Sequence, residues 1–272
     1  ACQYMGTAST MQVMAEALGL SLPGNALMPA WSNLIGHYAD QAGGHILNLI
    51  NKGVLPSDIL SPGAFENAIM VHAAVSGSTN ALLHLPAIAG QAGIRITPGD
   101  FDRIHKKIPV LVSLQMTGRW PTQILWYAGG VPAIMLVLKD HLQLDALTVT
   151  GKTLGENLGD LEQNGFFDHT ALYLENYGIK PGDVIQSLES PYNAAGGLAI
   201  LKGNLAPESA VVKHAAVDPK MHRHVGLAKA REVRRAPGQH LGPGLTRLAR
   251  GGLLLDDVAT LVHRLKGRVL GV

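Results

Sequence analysis

Cys2 is the only cysteine among the 272 residues, and a lone thiol of this kind is a candidate ligand for a metal or a cluster. It opens the segment CQYMGTASTMQVM (2–14), in which the small residues GTAST (6–10) follow the thiol and a helical pattern begins. Small residues let backbone N–H groups approach a thiolate, an arrangement typical of metal and cluster ligands. An iron–sulfur cluster needs three or four such ligands, so one thiolate does not hold it alone. The sequence chemistry leaves a second interpretation open, a small buried apolar cysteine.

A second polar segment, SGSTN (76–80), stands immediately before an apolar helical pattern. Backbone N–H groups at a helix start, together with hydroxyl side chains, form a corner that can bind an anion such as a carboxylate. Ser78, Thr79 and Asn80 are therefore candidate substrate-binding residues. Ordinary helix capping, which needs only one of them, is the alternative interpretation.

Lys152 lies in the segment TVTGKT (148–153), which superficially resembles a phosphate-binding loop. Position 146 is alanine where G-x-x-x-x-G-K-[ST] requires glycine, so a nucleotide site is not predicted. Lys152 remains a candidate contact for an anionic substrate, and a solvated lysine on a turn is the alternative. The twelve histidines show no metal-ligand spacing.

Hydrophobic periodicity predicts the elements that must position these residues. Alternating helices and strands favour a layered α/β fold, and turn signals near residue 180 mark the start of a β-rich second domain. The predicted helices are 9–20, 31–51, 62–74, 80–92 and 130–141, and the predicted strands are 109–114, 144–149, 198–202 and 210–214.

Composition indicates a globular protein with a buried core, since 47% of the residues are hydrophobic and 15% are charged. No stretch of 18 uncharged apolar residues predicts a membrane span. A single cysteine excludes a disulfide framework and favours a reducing, cytoplasmic compartment. Residues 227–272 are basic, with 9 of the 22 Lys and Arg but 3 of the 20 Asp and Glu. That tail has no aromatic residue to stack on a base, so nucleic-acid binding is not predicted.

Six blocks, in order along the chain, resemble the IlvD/Edd family of dihydroxy-acid and sugar-acid dehydratases. The opening CQ-x-x-GTA and the segment FFDHTALYLENYGIKPGDVIQ (166–186) are most similar to its pentonate (xylonate-type) branch. The six blocks are CQYMGTASTMQVMAEALGLSLPGNALMP (2–29), FENAIMVHAAVSGSTNALLHLPAIAGQAGI (65–94), FDRIHKKIPVLVSL (101–114), AGGVPAIM (128–135), LDALTVTGKTLGENL (144–158) and SPYNAAGGLAILKGNLAPESAVVKHAAV (190–217).

The resemblance implies a hydro-lyase that converts a 2,3-dihydroxy sugar acid, such as a pentonate, to a 2-keto-3-deoxy acid. It implies an iron–sulfur cluster, [2Fe–2S] rather than [4Fe–4S], as Lewis acid, with Cys2 as one cluster ligand, and Mg²⁺ as a second metal. It also implies a cytoplasmic homo-oligomer that acts on a small molecule and binds neither nucleic acid nor membrane. Two alternatives stay open. One is a dihydroxy-acid dehydratase of branched-chain amino-acid synthesis, and the other is a non-catalytic remnant or interaction module.

The resemblance further implies a fragment. The family's C-D-K motif, with a further cluster cysteine and magnesium ligands, and its T-D-G-R-F-S-G motif, with the serine base, are absent from the sequence. We expect a partial α/β domain over 1–182, the start of a β-barrel-like C-terminal domain over 183–226, and a divergent tail over 227–272. We expect this tail to lie outside the packed body, with trypsin cutting first between Lys229 and Arg250.

Overall fold

A computed structural model describes residues 2–217, and these form a predominantly helical body with one small antiparallel sheet. Short 3-10 turns over Lys139–His141 and His214–Ala216 add to the regular elements. The helices are α1 (Thr7–Ala17), α2 (Leu34–Lys52), α3 (Pro56–Ile59), α4 (Pro62–Ala74), α5 (Ala81–Gln91), α6 (Pro98–His105), α7 (Thr122–Tyr127), α8 (Gly130–Val137), α9 (Leu154–Gln163), α10 (Phe166–Glu175) and α11 (Pro181–Val184), and the strands are β1 (Ala199–Gly203) and β2 (Ala206–Val212).

Helix α4 lies at the centre of the body, and α1, α6 and α8 pack against it. Its sequence is apolar on nearly all sides, which is typical of a helix buried all round. The Ser61 hydroxyl accepts a hydrogen bond from the Ala64 N–H at 3.2 Å, and Pro62 occupies the first turn. These signals place α4 over the predicted range, 62–74.

The other four predicted helices also form, with ends that differ by a few residues. Helix α2 ends at Gly53, whose φ of 66° is left-handed, a conformation that glycine adopts without strain. Helix α1 ends before Gly19, which has a φ of 76°. The last predicted helix, 130–141, divides into α8 and the 3-10 turn over Lys139–His141.

The two predicted strands over 109–114 and 144–149 are wrong. Both segments make isolated bridges only, Val110 with Asn193 and Leu147 with Thr153 among them. Their backbone groups pair with loops and with a helix end, as when the Leu111 N–H donates to the carbonyl of Ala74, the last residue of α4, at 2.9 Å. A short buried apolar run has the same hydrophobic pattern whether or not a strand lies beside it, so periodicity does not separate the two. No layered parallel sheet forms within residues 2–217.

The sheet that does form is a hairpin of β1 and β2. Ala199 pairs with Val212 and Leu201 with Ala210, and the register shifts between Leu201 and Gly203. Strand β1 matches the predicted run 198–202, whereas β2 begins earlier than the predicted run 210–214. The expectations for the tail, 227–272, including the trypsin sites, fall outside the described residues. Across residues 2–217, no helix combines the length and the apolar character that crossing a bilayer requires.

Candidate functional site

The backbone around Cys2 is held in place while its thiol stays exposed. The Cys2 carbonyl accepts hydrogen bonds from the hydroxyls of Ser9, at 3.1 Å, and of Thr122. The Thr122 N–H in turn donates to the Gln3 carbonyl at 2.9 Å. Cys2 is therefore an accessible thiol at the start of α1 and not a small buried residue.

The turn before α5 is tied to the first turns of α1. The Ser78 N–H donates to the Thr10 hydroxyl at 3.0 Å, and the Asn80 side-chain amide donates to the Thr7 hydroxyl. Thr10 is fully buried. The structure thus attaches Cys2 and the predicted residues Ser78 and Asn80 to the first turns of one helix, α1, although more than seventy positions separate them in the sequence. We call this region the α1–α5 corner, defined by Cys2, Thr7, Thr10, Ser78 and Asn80.

Most N–H groups at this corner already have acceptors within the protein. The Asn80 N–H donates to the Ser78 hydroxyl at 3.3 Å, and the Ala81 N–H donates to the Ser78 carbonyl at 3.1 Å. The Thr79 N–H and hydroxyl have no partner among residues 2–217. Thr79 and the Cys2 thiol are therefore the groups that the corner offers to a ligand.

Two buried histidines are hydrogen-bonded to each other and to the turn at Ser78. The Leu198 N–H donates to His105 Nδ1 at 3.2 Å, so the proton of a neutral His105 lies on Nε2. His105 Nε2 then donates to His72 Nδ1, 3.1 Å away, and His72 Nε2 donates to the Ser78 carbonyl at 3.0 Å. The Leu198 N–H thereby fixes the tautomers of both histidines. The same chain of hydrogen bonds links the segment 196–198 to the turn at Ser78.

Burial keeps both imidazoles uncharged. Desolvation is the main cause that lowers the pKa of His72, and nearby Lys213 lowers it further. Desolvation likewise lowers the pKa of His105, with contributions from His72 and His214. Two neighbouring cations here would repel each other and lose their solvation, so the neutral form of both histidines is the stable one. We call His72 and His105, with their hydrogen bonds to the Leu198 N–H and the Ser78 carbonyl, the histidine relay.

Close packing around this relay explains three glycines. A Cβ atom on Gly77 would lie 2.4 Å from His72 Cδ2, and one on Gly196 would lie 2.6 Å from His105 Nδ1. A Cβ atom on Gly197 would lie 2.1 Å from the Ser76 hydroxyl, which is buried without a hydrogen-bond partner among residues 2–217. The sequence analysis did not single out the two histidines. The signal for His72 was a titratable residue inside the mostly apolar helix α4.

Lys152 lies elsewhere and makes no contact with the α1–α5 corner. Its ammonium group forms an ion pair with Asp160, and both side chains are about half exposed. They line a cavity of about 490 Å³ beside α2, together with Tyr38 and His169. The Lys152 N–H donates to the Thr150 hydroxyl at 3.2 Å. This backbone donor is therefore already used within the loop and does not point toward a phosphate site.

Glu16 is a buried carboxyl group that the sequence interpretation did not single out. Its two oxygens accept hydrogen bonds from the N–H groups of Gly24 and Ala26, each at 2.7 Å. Burial raises the pKa of Glu16 to about 7, although these two hydrogen bonds oppose the shift. Burial, and then the neighbouring Glu16, raise the pKa of the Tyr38 hydroxyl. Glu16 fixes the loop after α1 and does not face the corner.

The residues present do not complete an iron–sulfur site. Cys2 supplies the thiolate that a cluster uses, but a cluster needs three or four ligands and the chain has one cysteine. Within residues 2–217, no three His, Cys, Asp or Glu side chains are grouped to hold a metal ion. The described residues therefore fit one ligand position of a cluster and no magnesium site.

Family models cover most of the chain. Residues 1–157 match the N-terminal model of the dihydroxy-acid/6-phosphogluconate dehydratases, and residues 183–239 match the C-terminal model of the same family. The chain belongs to this family. The second match extends beyond Gly226, where the resemblance in the sequence analysis was expected to end.

Curated relatives support the same assignment. The chain is 42% identical to a dihydroxy-acid dehydratase of Caldicellulosiruptor saccharolyticus over 99% of its own length and 51% of the relative's. It is 43% identical to a dihydroxy-acid dehydratase of Acetivibrio thermocellus, and 45% identical to dihydroxy-acid dehydratase 1 of Methanosarcina acetivorans. Each of these two matches covers 84% of this chain and 39% of the relative. The chain thus spans about half the length, or less, of these relatives, and their names do not support the pentonate branch expected from the sequence.

Proposed function

We propose that the chain forms part of a hydro-lyase that dehydrates a 2,3-dihydroxy acid to a 2-keto acid. The names of the relatives favour the dihydroxy-acid dehydratase alternative over the pentonate reading. In this reaction a base removes the proton from C2, hydroxide leaves C3, and the enol product converts to the ketone. The atoms balance as one substrate giving one keto acid and one water.

The observation that carries the proposal is the α1–α5 corner. The carbonyl of the candidate cluster residue Cys2 is hydrogen-bonded to Ser9 of α1, and the turn at Ser78–Asn80 is hydrogen-bonded to Thr7 and Thr10 of the same helix. Helix α5, with 11 residues, directs its partial positive charge toward this turn. An acid bound there would meet the free Thr79 N–H and hydroxyl through its carboxylate, and the exposed Cys2 thiol precedes α1, the helix to which this turn is bonded.

The role assigned to this chain is binding and orientation. In the complete family enzyme, an iron–sulfur cluster and Mg²⁺ would supply Lewis acidity, and Cys2 would be one iron ligand. No proton-transfer step is assigned to the described residues, because neither the corner nor the histidine relay presents a free base to solvent. The lone cysteine also supports the proposal that the enzyme works in a reducing, cytoplasmic compartment.

Titration of the ¹⁵N-labelled chain with a branched 2,3-dihydroxy acid tests the site, with a pentonate as the competing ligand. We expect millimolar binding that shifts the amide signals of Thr79 and Asn80, with the branched acid binding more tightly. Thr79→Val keeps the side-chain shape but removes the hydroxyl, and should weaken binding several-fold. Lys152→Met, in the separate cavity, should leave binding unchanged.

The reverse pattern contradicts the proposal. If Lys152→Met abolishes binding while Thr79→Val has no effect, the acid binds in the cavity beside α2. If the pentonate binds more tightly than the branched acid, the sugar-acid reading is the better one.

A further inference from the structure

Helix α2 packs loosely against the body, since Leu49 is the only one of its 19 residues that is buried. Two cavities lie along the side of α2 that faces the body, one of about 440 Å³ and one of about 490 Å³. We call the first the α2 cavity and the second, which Lys152 lines, the Lys152 cavity. Tyr38 and His45 line both, so the two cavities adjoin at these residues. Volumes of this size are typical of sites that bind small molecules.

The side of α2 that faces the cavities is divided lengthwise into an apolar and a polar half. At about 100° per residue, His37 and Gln41 lie on one edge, the apolar residues lie on the other, and Tyr38 and His45 lie between them. The polar half lines the Lys152 cavity. The apolar half lines the α2 cavity and consists of Ile35, Ala39, Ala42, Ile46 and Leu49. A ligand that matches this side of the helix has an apolar part and a polar part, side by side.

The α2 cavity is long and mostly apolar. Its lining on the helix runs from Ile35 to Leu49, a rise of about 21 Å. Ile35 and Ile46 remain 44% and 54% exposed, so a ligand in this cavity would remove apolar surface from water. Away from α2, the polar side chains in its lining within residues 2–217 are Ser21 and Asn25, and the Asn25 amide donates to the Ser21 hydroxyl at 2.8 Å. This lining favours a linear apolar chain.

The Lys152 cavity offers hydrogen-bond donors. The side chains of His37, Gln41 and His45 line it and have no hydrogen-bond partner within the described part of the chain, 2–217. Across the cavity, the Lys152 ammonium group is paired with Asp160, which uses one of its three N–H donors. Imidazole, amide and ammonium donors together suit a carboxylate, which accepts several hydrogen bonds at once.

We propose that the two cavities bind an unbranched carboxylic acid of medium chain length, with its chain in the α2 cavity and its carboxylate in the Lys152 cavity. His45 lies where the two cavities adjoin, and its imidazole donates to the carboxylate together with the Lys152 ammonium group. The chain covers Ile35 and Ile46. No residue of the α1–α5 corner lines either cavity, so this site is separate from the one proposed for the dihydroxy acid.

Calorimetric titration of the full chain with decanoate tests the inference. We expect one molecule bound per chain, with a Kd on the order of 10–100 μM. Decan-1-ol has the same chain without the carboxylate and should bind about tenfold more weakly, because the donors of His45 and Lys152 lose their charged acceptor. No saturable binding of decanoate, or equal binding of decan-1-ol, overturns the inference.

Filling the α2 cavity tests where the chain binds. Ala42→Phe places a large side chain in this cavity and should weaken decanoate binding at least about tenfold. Leu47→Phe, on a residue of the same helix that is 62% exposed and lines neither cavity, is the matched control and should bind as the wild type does. Decanoate binding that Ala42→Phe leaves unchanged, or that both variants weaken equally, contradicts the assignment.

Removing the ammonium group tests where the carboxylate binds. Lys152→Met should weaken decanoate binding several-fold and leave decan-1-ol binding unchanged, whereas Lys139→Met, on the 3-10 turn away from both cavities, should change neither. Amide signals of the ¹⁵N-labelled wild type give a measurement that needs no variant. Decanoate should shift the signals of His45 and Val149 and leave that of Thr79 in place. Shifts at Thr79 without shifts at His45 would place the acid at the α1–α5 corner and overturn the inference.

Discussion

At the scale of single residues, Cys2 combines an exposed thiol with a fixed backbone. The hydroxyls of Ser9 and Thr122 hold its carbonyl, so the backbone that carries the thiol is fixed. This is what a cluster ligand needs from its surroundings, since ligand orientation is set by neighbouring hydrogen bonds. The ability of this chain to bind an iron–sulfur cluster is therefore limited by the number of its ligands.

We predict that the purified chain does not form a stable iron–sulfur cluster. One thiolate per chain, or two in a dimer, is fewer than the three or four ligands a cluster requires. Anaerobic reconstitution with iron and sulfide, followed by visible absorption and iron analysis, measures this directly, with Cys2→Ala as the control. Stoichiometric iron and sulfide that disappear in Cys2→Ala would show that further ligands exist on the chain.

The histidine relay predicts that the protein loses stability at acid pH. His72 and His105 have lowered pKa values and stay neutral when folded, whereas each takes up a proton below about 6.5 in the unfolded chain. The unfolded state therefore binds more protons, and the free energy of unfolding falls as the pH drops below 6.5. The slope is up to about 1.4 kcal/mol per pH unit for each histidine.

Urea unfolding between pH 7 and 5 checks this, with a variant that removes one titrating group. His105→Gln should be less stable at pH 7, because the Leu198 N–H loses its acceptor, and its pH slope should be smaller by about one proton. His84→Gln, on the exposed side of α5, should keep the wild-type slope. An unchanged slope in His105→Gln would mean that His105 is already protonated in the folded protein.

At the scale of elements, α1 carries the corner at its start and a buried acid near its end. The Glu16 carboxyl group joins α1 to the loop through the N–H groups of Gly24 and Ala26. Its folded pKa, about 7, lies above the unfolded value of 4.5. Its contribution to the free energy of unfolding is therefore complete below pH 4.5 and is lost as the pH rises through 7. This pH dependence is opposite in sign to that of the two histidines.

We predict that Glu16→Gln flattens the stability profile between pH 5 and 8. A glutamine offers one acceptor oxygen where the acid offers two, so the variant should be less stable by about 1–3 kcal/mol at pH 5. That difference should shrink toward pH 8, where burying the wild-type charge becomes costly. Glu162→Gln, on the exposed side of α9, is the matched control and should keep the wild-type profile. A constant difference at every pH would mean that Glu16 does not titrate in this range.

The helices and loops differ in how far the sequence alone predicts them. Helix α4 was predictable to its ends, because a serine cap, a proline and an apolar run coincide. The segment 109–114 was not, since its hydrogen-bond partners come from distant loops, such as that of Asn193. Cys2 and Ser78 were each predictable as chemical groups, but the attachment of the Ser78 turn to α1 depends on Thr10, an ordinary helical residue. Long-range contacts of this kind have no local signature.

At the scale of the molecule, segments matched by the two family models meet at the relay. His72 and His105 lie in the N-terminal match, and Leu198 lies in the C-terminal one. The bond between the Leu198 N–H and His105 therefore makes the turn at Ser78 depend on both parts.

The last prediction concerns the activity of the whole chain. We expect the 272-residue chain alone to give no detectable dehydration of a branched 2,3-dihydroxy acid or of a pentonate. It has one thiolate for the Lewis acid site, and the serine motif that the family resemblance associates with the base is absent. Members of a catalytic unit act together, so loss of even one typically lowers the rate by several orders of magnitude.

Trapping of the 2-keto acid product measures this activity, with a full-length relative such as the Acetivibrio thermocellus dihydroxy-acid dehydratase as positive control. The comparison is informative if the chain also shows the Thr79 amide shifts with substrate, because binding without turnover isolates the missing catalytic groups. Keto acid above the buffer background that Cys2→Ala abolishes would contradict the prediction. It would mean that residues outside 2–217, or a second copy, supply the remaining ligands and the base.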